Sequence, residues 1–303
     1  MTCGLRVDVC TYEGLQSGVP TLLRLLDRHR IRASFFVALG PDRSGRAVLQ
    51  ALRPGFLAKM RRTRAVRVYG WRTILSGTLL PARQMADLAD IMRGIVSAGH
   101  ELAVHGYDHR AWQDRLHQMS EQRVRRELMQ AVDVYRRIIG REPHGFGAPG
   151  WQCSPASLRI LDELGFAYAS DARGRGPFYP RVEGCRLQTV QLPTTLPTLD
   201  ELLSLGGMDG EGFVDLVCRR VELQAWNVLT LHAEMEGREF QWIAARILAR
   251  LGANGILPLS LLELRERIRA SEEVLVPEAE ILQRPIKGRS GRVAVAAGME
   301  PLD

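Results

Sequence analysis

Seven short apolar runs, separated by segments whose apolar residues recur at helical spacing, set the tightest limit on what this chain can fold into. The runs fall at 4–9, 33–39, 101–105, 145–149, 167–170, 187–192 and 227–232. Between them Val19, Leu22, Leu23 and Leu26, and later Met85, Leu88, Ile91, Met92 and Ile95, recur at i, i+3, i+4, the spacing that gathers side chains on one helix face. Gly99 and Gly140 close two of these helical segments, and Ser154-Pro155 supplies an N-cap and a first helical residue ahead of Leu158, Ile160 and Leu161. Strands alternating with helices require a parallel sheet covered by helices, open or closed into a barrel. The pattern dissolves after about residue 270. The expected organisation is therefore one unit over 1–270, followed by a poorly ordered tail over 271–303.

Composition narrows the class. Hydrophobic residues at 46% and charged residues at 25% suit a globular chain able to bury a large core. No apolar stretch approaches the roughly 20 residues of a spanning helix, and MTCGLRVD carries no apolar leader before its first charges, so the expected compartment is the cytoplasm. The five cysteines, Cys3, Cys10, Cys153, Cys185 and Cys218, are odd in number and never spaced C-x-x-C, which argues against a disulfide framework or a structural zinc knot.

The net charge of +7 is concentrated in one place. Between Pro41 and Pro81 nine basic residues (Arg43, Arg46, Arg53, Lys59, Arg61, Arg62, Arg64, Arg67 and Arg72) face one acid, Asp42. Val48, Leu49, Leu52, Phe56, Leu57 and Met60 add an apolar stripe beside these cations. Such a segment reads either as a solvated arginine-rich insertion or as an amphipathic element that lies on an anionic membrane surface. Nucleic acid would also attract the charge, but no nucleic-acid module accompanies it, so none is expected as a partner.

In parallel α/β architectures chemistry gathers at the carboxyl ends of the strands. Asp8 and Cys10, His105, Asp171 and His232 all fall there. In RVDVC, Asp8 and Cys10 share one face of a strand by their two-residue spacing. In HGYDH, His105 and His109 stand four apart, a spacing that on a helical turn lets both imidazoles close on one metal ion. A hydrolytic metal needs a third protein ligand and an open position for water, for which Asp8 and Cys10 are the candidates. The plainer reading is that Asp8 caps a loop, the two histidines are hydrogen-bonded surface residues and His232 is a satisfied core histidine.

Asp8 at the end of the first strand, His105-x-x-x-His109, the turn Ala148-Pro149-Gly150-Trp151 and the Leu-Thr-Leu-His232 strand end together resemble the successive motifs of the polysaccharide deacetylases of the NodB-homology type. The resemblance implies a distorted (β/α) barrel of about seven parallel strands and a metal-dependent amide hydrolase. GLRVDVCTYEG, ASFFVALGPDRSGR, YGWRTILSGTLLP, HGYDHRAWQDR, SDARG, QLPTTLPTLDE and LHAEMEG extend it from Gly4 to about Ser260, and bring the chain nearest to members that remove formate from an undecaprenyl-phosphate-linked amino sugar at the inner face of the inner membrane, on the lipid A path that confers resistance to cationic peptides. Peripheral attachment to that anionic surface is implied with it.

Carried onto this sequence, the resemblance makes Asp8 the general base, His105 and His109 metal ligands, and His232 the general acid. Asp171 and Arg173 become groups that orient Asp8 or His232. Pro149, Gly150 and Trp151, with Arg61 and Arg62 of the basic segment, become substrate contacts. Two departures stand out. The family carries an arginine beside the Pro-Gly turn that steers the base, whereas FGAPGWQ offers Gly147 and Gln152, so Arg173 is expected to take that part. The family also has Asp-x-Asp on the first strand, its second Asp binding the metal, where this chain has Cys10. A thiolate ligand favours zinc, with manganese or cobalt as alternatives. A deacetylase of a soluble N-acyl sugar, and a lipid-binding relative with an impaired metal site, are the other readings.

Overall fold

A computed structural model describes residues 2–46, 73, 75–205, 209–271, 274–289 and 291–301. Its centre is a seven-stranded sheet: β1 (Thr2–Val9), β2 (Ser34–Val37), β3 (Glu101–Val104), β4 (Gly145–Phe146), β5 (Tyr168–Ala169), β6 (Val190–Gln191) and β7 (Trp226–His232), in the spatial order β6-β5-β4-β3-β2-β1-β7. All six pairings are parallel. Each of the seven expected runs supplies one strand. The central strands are buried end to end, Leu5, Val7 and Val9 of β1 and Phe35, Phe36 and Val37 of β2 being fully or almost fully covered, as a sheet packed on both faces requires.

The sheet curls without closing through a strand pair. Val228 of β7 instead accepts from the backbone N–H groups of Thr195 (3.3 Å) and Leu196 (3.4 Å), just beyond β6, and its own N–H donates to Thr195 Oγ1 at 2.9 Å. The barrel is thus distorted at the seam between its first and last edges, as the family resemblance led one to expect.

Helices cover the outside. Among them α1 (Val19–His29) buries Val19, Leu22, Leu25 and Leu26, α2 (Ala89–Ser97) buries Met92 and Ile95, and α3 (His109–Arg115) is short. The long α4 (Glu121–Ile139) starts on a Ser120 cap and ends on the left-handed Gly140. Then α5 (Pro155–Glu163) opens with a Ser154–Ser157 capping box, as its Ser-Pro signal indicated. Among the described residues there follow α6 (Leu199–Leu205), α7 (Gly210–Leu223), α8 (Gln241–Ala253) and α9 (Leu261–Ala270). Among the described residues no helix is long and apolar enough to cross a membrane.

The segment read as a tail carries strands. Residues 278–279 pair in parallel with Tyr179–Val182, and Ile281–Arg284 forms an antiparallel hairpin with Val293–Ala296. Val293, Ala294, Val295 and Ala296 are all buried. The hairpin is anchored by Arg173, whose N–H donates to Ala294 O at 2.8 Å and whose carbonyl accepts from Ala296 N–H at 3.0 Å. The VAVA run is short and surrounded by Gly, Pro and Arg, so no periodicity flagged it; its anchor Arg173 lies more than a hundred residues upstream. Most of the basic segment, including Arg61 and Arg62, lies outside the described residues.

Candidate active site

The site is built at the carboxyl ends of β1, β3 and β7. Asp8 stands opposite His232 in the β1–β7 register, so two groups far apart in sequence are neighbours by strand pairing alone. Asp8 is 3% exposed, and both its oxygens accept from Arg6, at 2.6 Å from Nε and 2.9 Å from Nη2. Residues i and i+2 of a strand point to one face, which brings the two charges together. Burial by itself would raise the Asp8 carboxyl, but Arg6, and then His105, outweigh it and hold it below its ordinary value. Asp8 is therefore ionised and aimed.

Arg6 is wholly buried. Its Nη1 donates to Ser170 O and, at 2.9 Å, to Ser170 Oγ, while its guanidinium lies 4.7 Å from the Phe36 ring centroid. Space for it comes from Gly147: a Cβ there would stand 2.6 Å from Phe36 Cδ1 and 3.1 Å from Arg6 Nη2. The arginine that faces Asp8 comes not from the Pro-Gly turn but from the same strand, β1. The Arg173 guanidinium meets Glu201, Thr194 O at 3.1 Å and Leu196 O at 2.8 Å instead of Asp8. Asp171 likewise binds Gln191, whose Nε2 donates to its Oδ2 at 3.0 Å, rather than Asp8 or His232. Burial pushes the Asp171 carboxyl up to about 7.

His105 follows β3 and is 1% exposed. Its Nδ1 lies 2.6 Å from Gly147 O, which leaves Nε2 facing inward, 3.8 Å from Asp8 Oδ2. His109 is the first residue of α3, which Asp108 caps by accepting from Ala111 N–H at 2.9 Å; Arg43 pairs with the other Asp108 oxygen. The two imidazoles sit 5.1 Å apart. They do not share one helical turn, as their spacing suggested. One ends a strand, the other begins a helix, and Gly106 at φ +78° turns the chain between them. Burial pushes His105 down to about 4 and His109 well below its ordinary value, so both rings are neutral, as metal ligation needs.

Cys10 completes the group. Its ligand atom and those of His105 and His109 all lie within 4.8 Å of one another. The loop that presents it is pinned by Glu234, whose Oε1 accepts from Cys10 N–H at 2.7 Å, Thr11 N–H at 2.8 Å and Thr11 Oγ1 at 3.0 Å. Two imidazoles and a sulfur at this separation fit a divalent ion with one position left open. Burial, then Glu234 and Asp8, push the thiol well above its ordinary value, so only a cation in the site would make it a thiolate.

His232 ends β7 with its backbone N–H donating to Glu236 Oε2 at 2.9 Å. Burial acts to lower its pKa, yet Asp200, Asp8, Glu236 and Glu234 together raise it above the ordinary value, so it holds a proton more readily than a free histidine. The Trp151 ring meets it edge-on, 6.5 Å between centroids. Trp151 is 2% exposed and donates from Nε1 to Thr194 Oγ1 at 3.1 Å, so it supports the site from behind more than it offers a surface to substrate; Pro149 is buried too and Gly150 partly exposed. Arg6, Glu234, Glu236 and Asp200 were not assigned from sequence. Only the Arg6/Asp8 spacing and the quoted LHAEMEG and PTLDE stretches held a signal for them.

A curled parallel sheet with a buried acid–arginine pair, two neutral imidazoles and a protonated-leaning histidine at its strand ends defines a metal-dependent hydrolase of amides. The polysaccharide deacetylase family model matches residues 4–169, and the chain belongs to that family. It is 35% identical, over 98% of its length and 95% of the relative's, to a Shewanella sediminis (strain HAW-EB3) protein named "Probable 4-deoxy-4-formamido-L-arabinose-phosphoundecaprenol deformylase ArnD". A Wigglesworthia glossinidia brevipalpis protein of the same name is 28% identical over 93% of this chain and 97% of its own. Among solved structures, Puue allantoinase superposes with a TM-score of 0.62 at 16% identity, covering 90% of this chain and 92% of its own, a likeness of fold.

Proposed function

We propose that this protein removes the formyl group from 4-deoxy-4-formamido-L-arabinose carried on undecaprenyl phosphate, in the path that decorates lipid A with aminoarabinose. The observation that carries the reading is the pairing of an ionised, arginine-held Asp8 with a proton-holding His232 across one strand register, in a chain related over almost its whole length to proteins named for this reaction.

Cys10, His105 and His109 would hold the ion, which supplies Lewis-acid polarisation of the amide carbonyl and of the attacking water. Asp8 takes a proton from that water while its bond to the formyl carbon forms. His232 delivers a proton to the nitrogen as the C–N bond breaks, so a poor leaving group departs as an amine and formate is released. Arg6 keeps Asp8 ionised and oriented throughout. Zinc is the metal we assign, because a soft thiolate beside two imidazoles disfavours manganese and magnesium.

The basic segment would bring the enzyme to the inner face of the inner membrane. An open surface groove lined by Arg43, Arg46, Thr78, Leu79, Leu80 and Pro81 lies within the described parts of this segment; cations and apolar side chains together suit a polyprenyl phosphate. A second reading is favoured by one observation, the sulfur in place of a carboxylate: a lipid-binding relative with a weakened metal site. Assaying formate release from lipid-linked and lipid-free formamido-sugar tests both. Release from the lipid-linked form alone is expected. Equal rates would make it an amide hydrolase of soluble N-acyl sugars, and no release with any divalent metal would favour the second reading.

A further inference from the structure

The C-terminal hairpin delivers one charged side chain to the edge of the site. Arg289 Nη1 lies 3.3 Å from Glu201 Oε1 and 3.6 Å from Asp200 Oδ2, and its guanidinium sits over the Trp151 indole, 4.3 Å from the ring centroid. The approach depends on Gly288, which has φ +83° and whose Cβ would stand 2.1 Å from Glu201 O. Any other residue there would hold the hairpin off α6.

Two of the three groups that Arg289 touches bear on His232. Asp200 leads the charges that raise its pKa, and Trp151 meets its ring. His232 Nδ1 is buried with no hydrogen-bond partner among the described residues, so no hydrogen bond at that atom fixes the ring; packing and the field of Asp200 must. Burial would raise the Asp200 carboxyl, but Arg289, then His232, bring it to about 2. Arg289 is not free to capture a substrate anion. Arg173 and Arg289 face Glu201 and Asp200, two charges against two.

We propose that Arg289 is a positioning residue for His232, acting through Asp200 and Trp151, and that the C-terminal hairpin is thereby a working wall of the active site. The proposal rests on the reading of His232 as proton donor, and its test is chosen to be separable from that reading.

The full chain labelled with ¹⁵N-histidine is compared as parent, Arg289→Ala, Arg289→Lys and the hairpin control Arg292→Ala, with the His232 ring signal assigned by its loss in His232→Gln. Expected are a displaced His232 ring signal in Arg289→Ala, partial return in Arg289→Lys, and no displacement in Arg292→Ala, whose side chain donates to Gln283 O. On a formamido-sugar, kcat should fall about tenfold to a hundredfold with KM within about twofold. An unmoved His232 signal in Arg289→Ala, or a change confined to KM, overturns the proposal. Should Arg289→Ala fail to fold, Arg289→Lys decides: a parental melting temperature with a parental His232 signal also overturns it. If the parent releases no formate, the proposed function fails while the ring signal still judges Arg289.

Discussion

Arg6 and Asp8, two residues apart on the first strand, form a buried two-point ion pair of 2.6 and 2.9 Å. Removing one partner of such a pair leaves an uncompensated buried charge, which costs about 3–5 kcal/mol. Arg6→Met should therefore lower stability by that order in urea unfolding and lower kcat as well, because Asp8 loses the group that keeps it ionised. Stability and kcat both at parental values would show that Asp8 needs no arginine.

The three-ligand group makes a prediction about metal content. Elemental analysis of purified protein should find zinc in the parent, and little in Cys10→Ala, His105→Ala or His109→Ala. Asp8→Ala should keep its zinc and lose about 10²- to 10⁴-fold in rate, the range for general base catalysis. Cys10→Asp should shift preference toward manganese, a harder ion suited to oxygen ligands. Full zinc occupancy in Cys10→Ala would remove the sulfur from the site.

Attachment to anionic membranes should depend on the basic segment. Each Lys or Arg near such a surface contributes about 1 kcal/mol and is screened by salt. Changing Arg61, Arg62 and Arg64 to Glu should release the protein from vesicles containing anionic lipid, as high salt should release the parent. Flotation unchanged by either treatment would leave the segment a solvated insertion.

A pH dependence of stability follows from the opposite end of the barrel. Glu101 Oε2 accepts from Tyr168 Oη at 2.8 Å, from Leu262 N–H at 3.2 Å, and from Ser34 Oγ, and burial pushes its carboxyl up from 4.5 to about 7. The folded state thus keeps a proton that the unfolded chain gives up. The stabilisation is complete below about pH 4.5 and is lost as pH rises to about 7, a span on the order of 2–4 kcal/mol. Glu101→Gln should flatten this part of the stability curve and be the more stable protein at pH 8. The shares of Asp171 and Glu236, also raised to about 7, would remain. A slope identical to the parent's would place the titration elsewhere.

Local physics was legible in the sequence. Two-residue and helical periodicities reflect side-chain direction within one element, so the seven strands, the Ser154-Pro155 helix start and the strand-end positions of Asp8, His105 and His232 could be read directly. What depends on which elements pack together could not. The choice of Arg6 over Arg173 as the partner of Asp8 was made by the empty space above Gly147, a property of β1 against the β4 turn. The hairpin of Ile281–Arg284 and Val293–Ala296 is held to the barrel by Arg173, and residues 278–279 by Tyr179–Pro180, contacts that a short VAVA run has no periodicity to announce. His105 and His109 share a metal group through a turn between strand and helix, a geometry their four-residue spacing misdescribed. Sequence spacing fixed which residues could be reactive; tertiary packing decided which charges face them, because a buried charge is set by its neighbours in space.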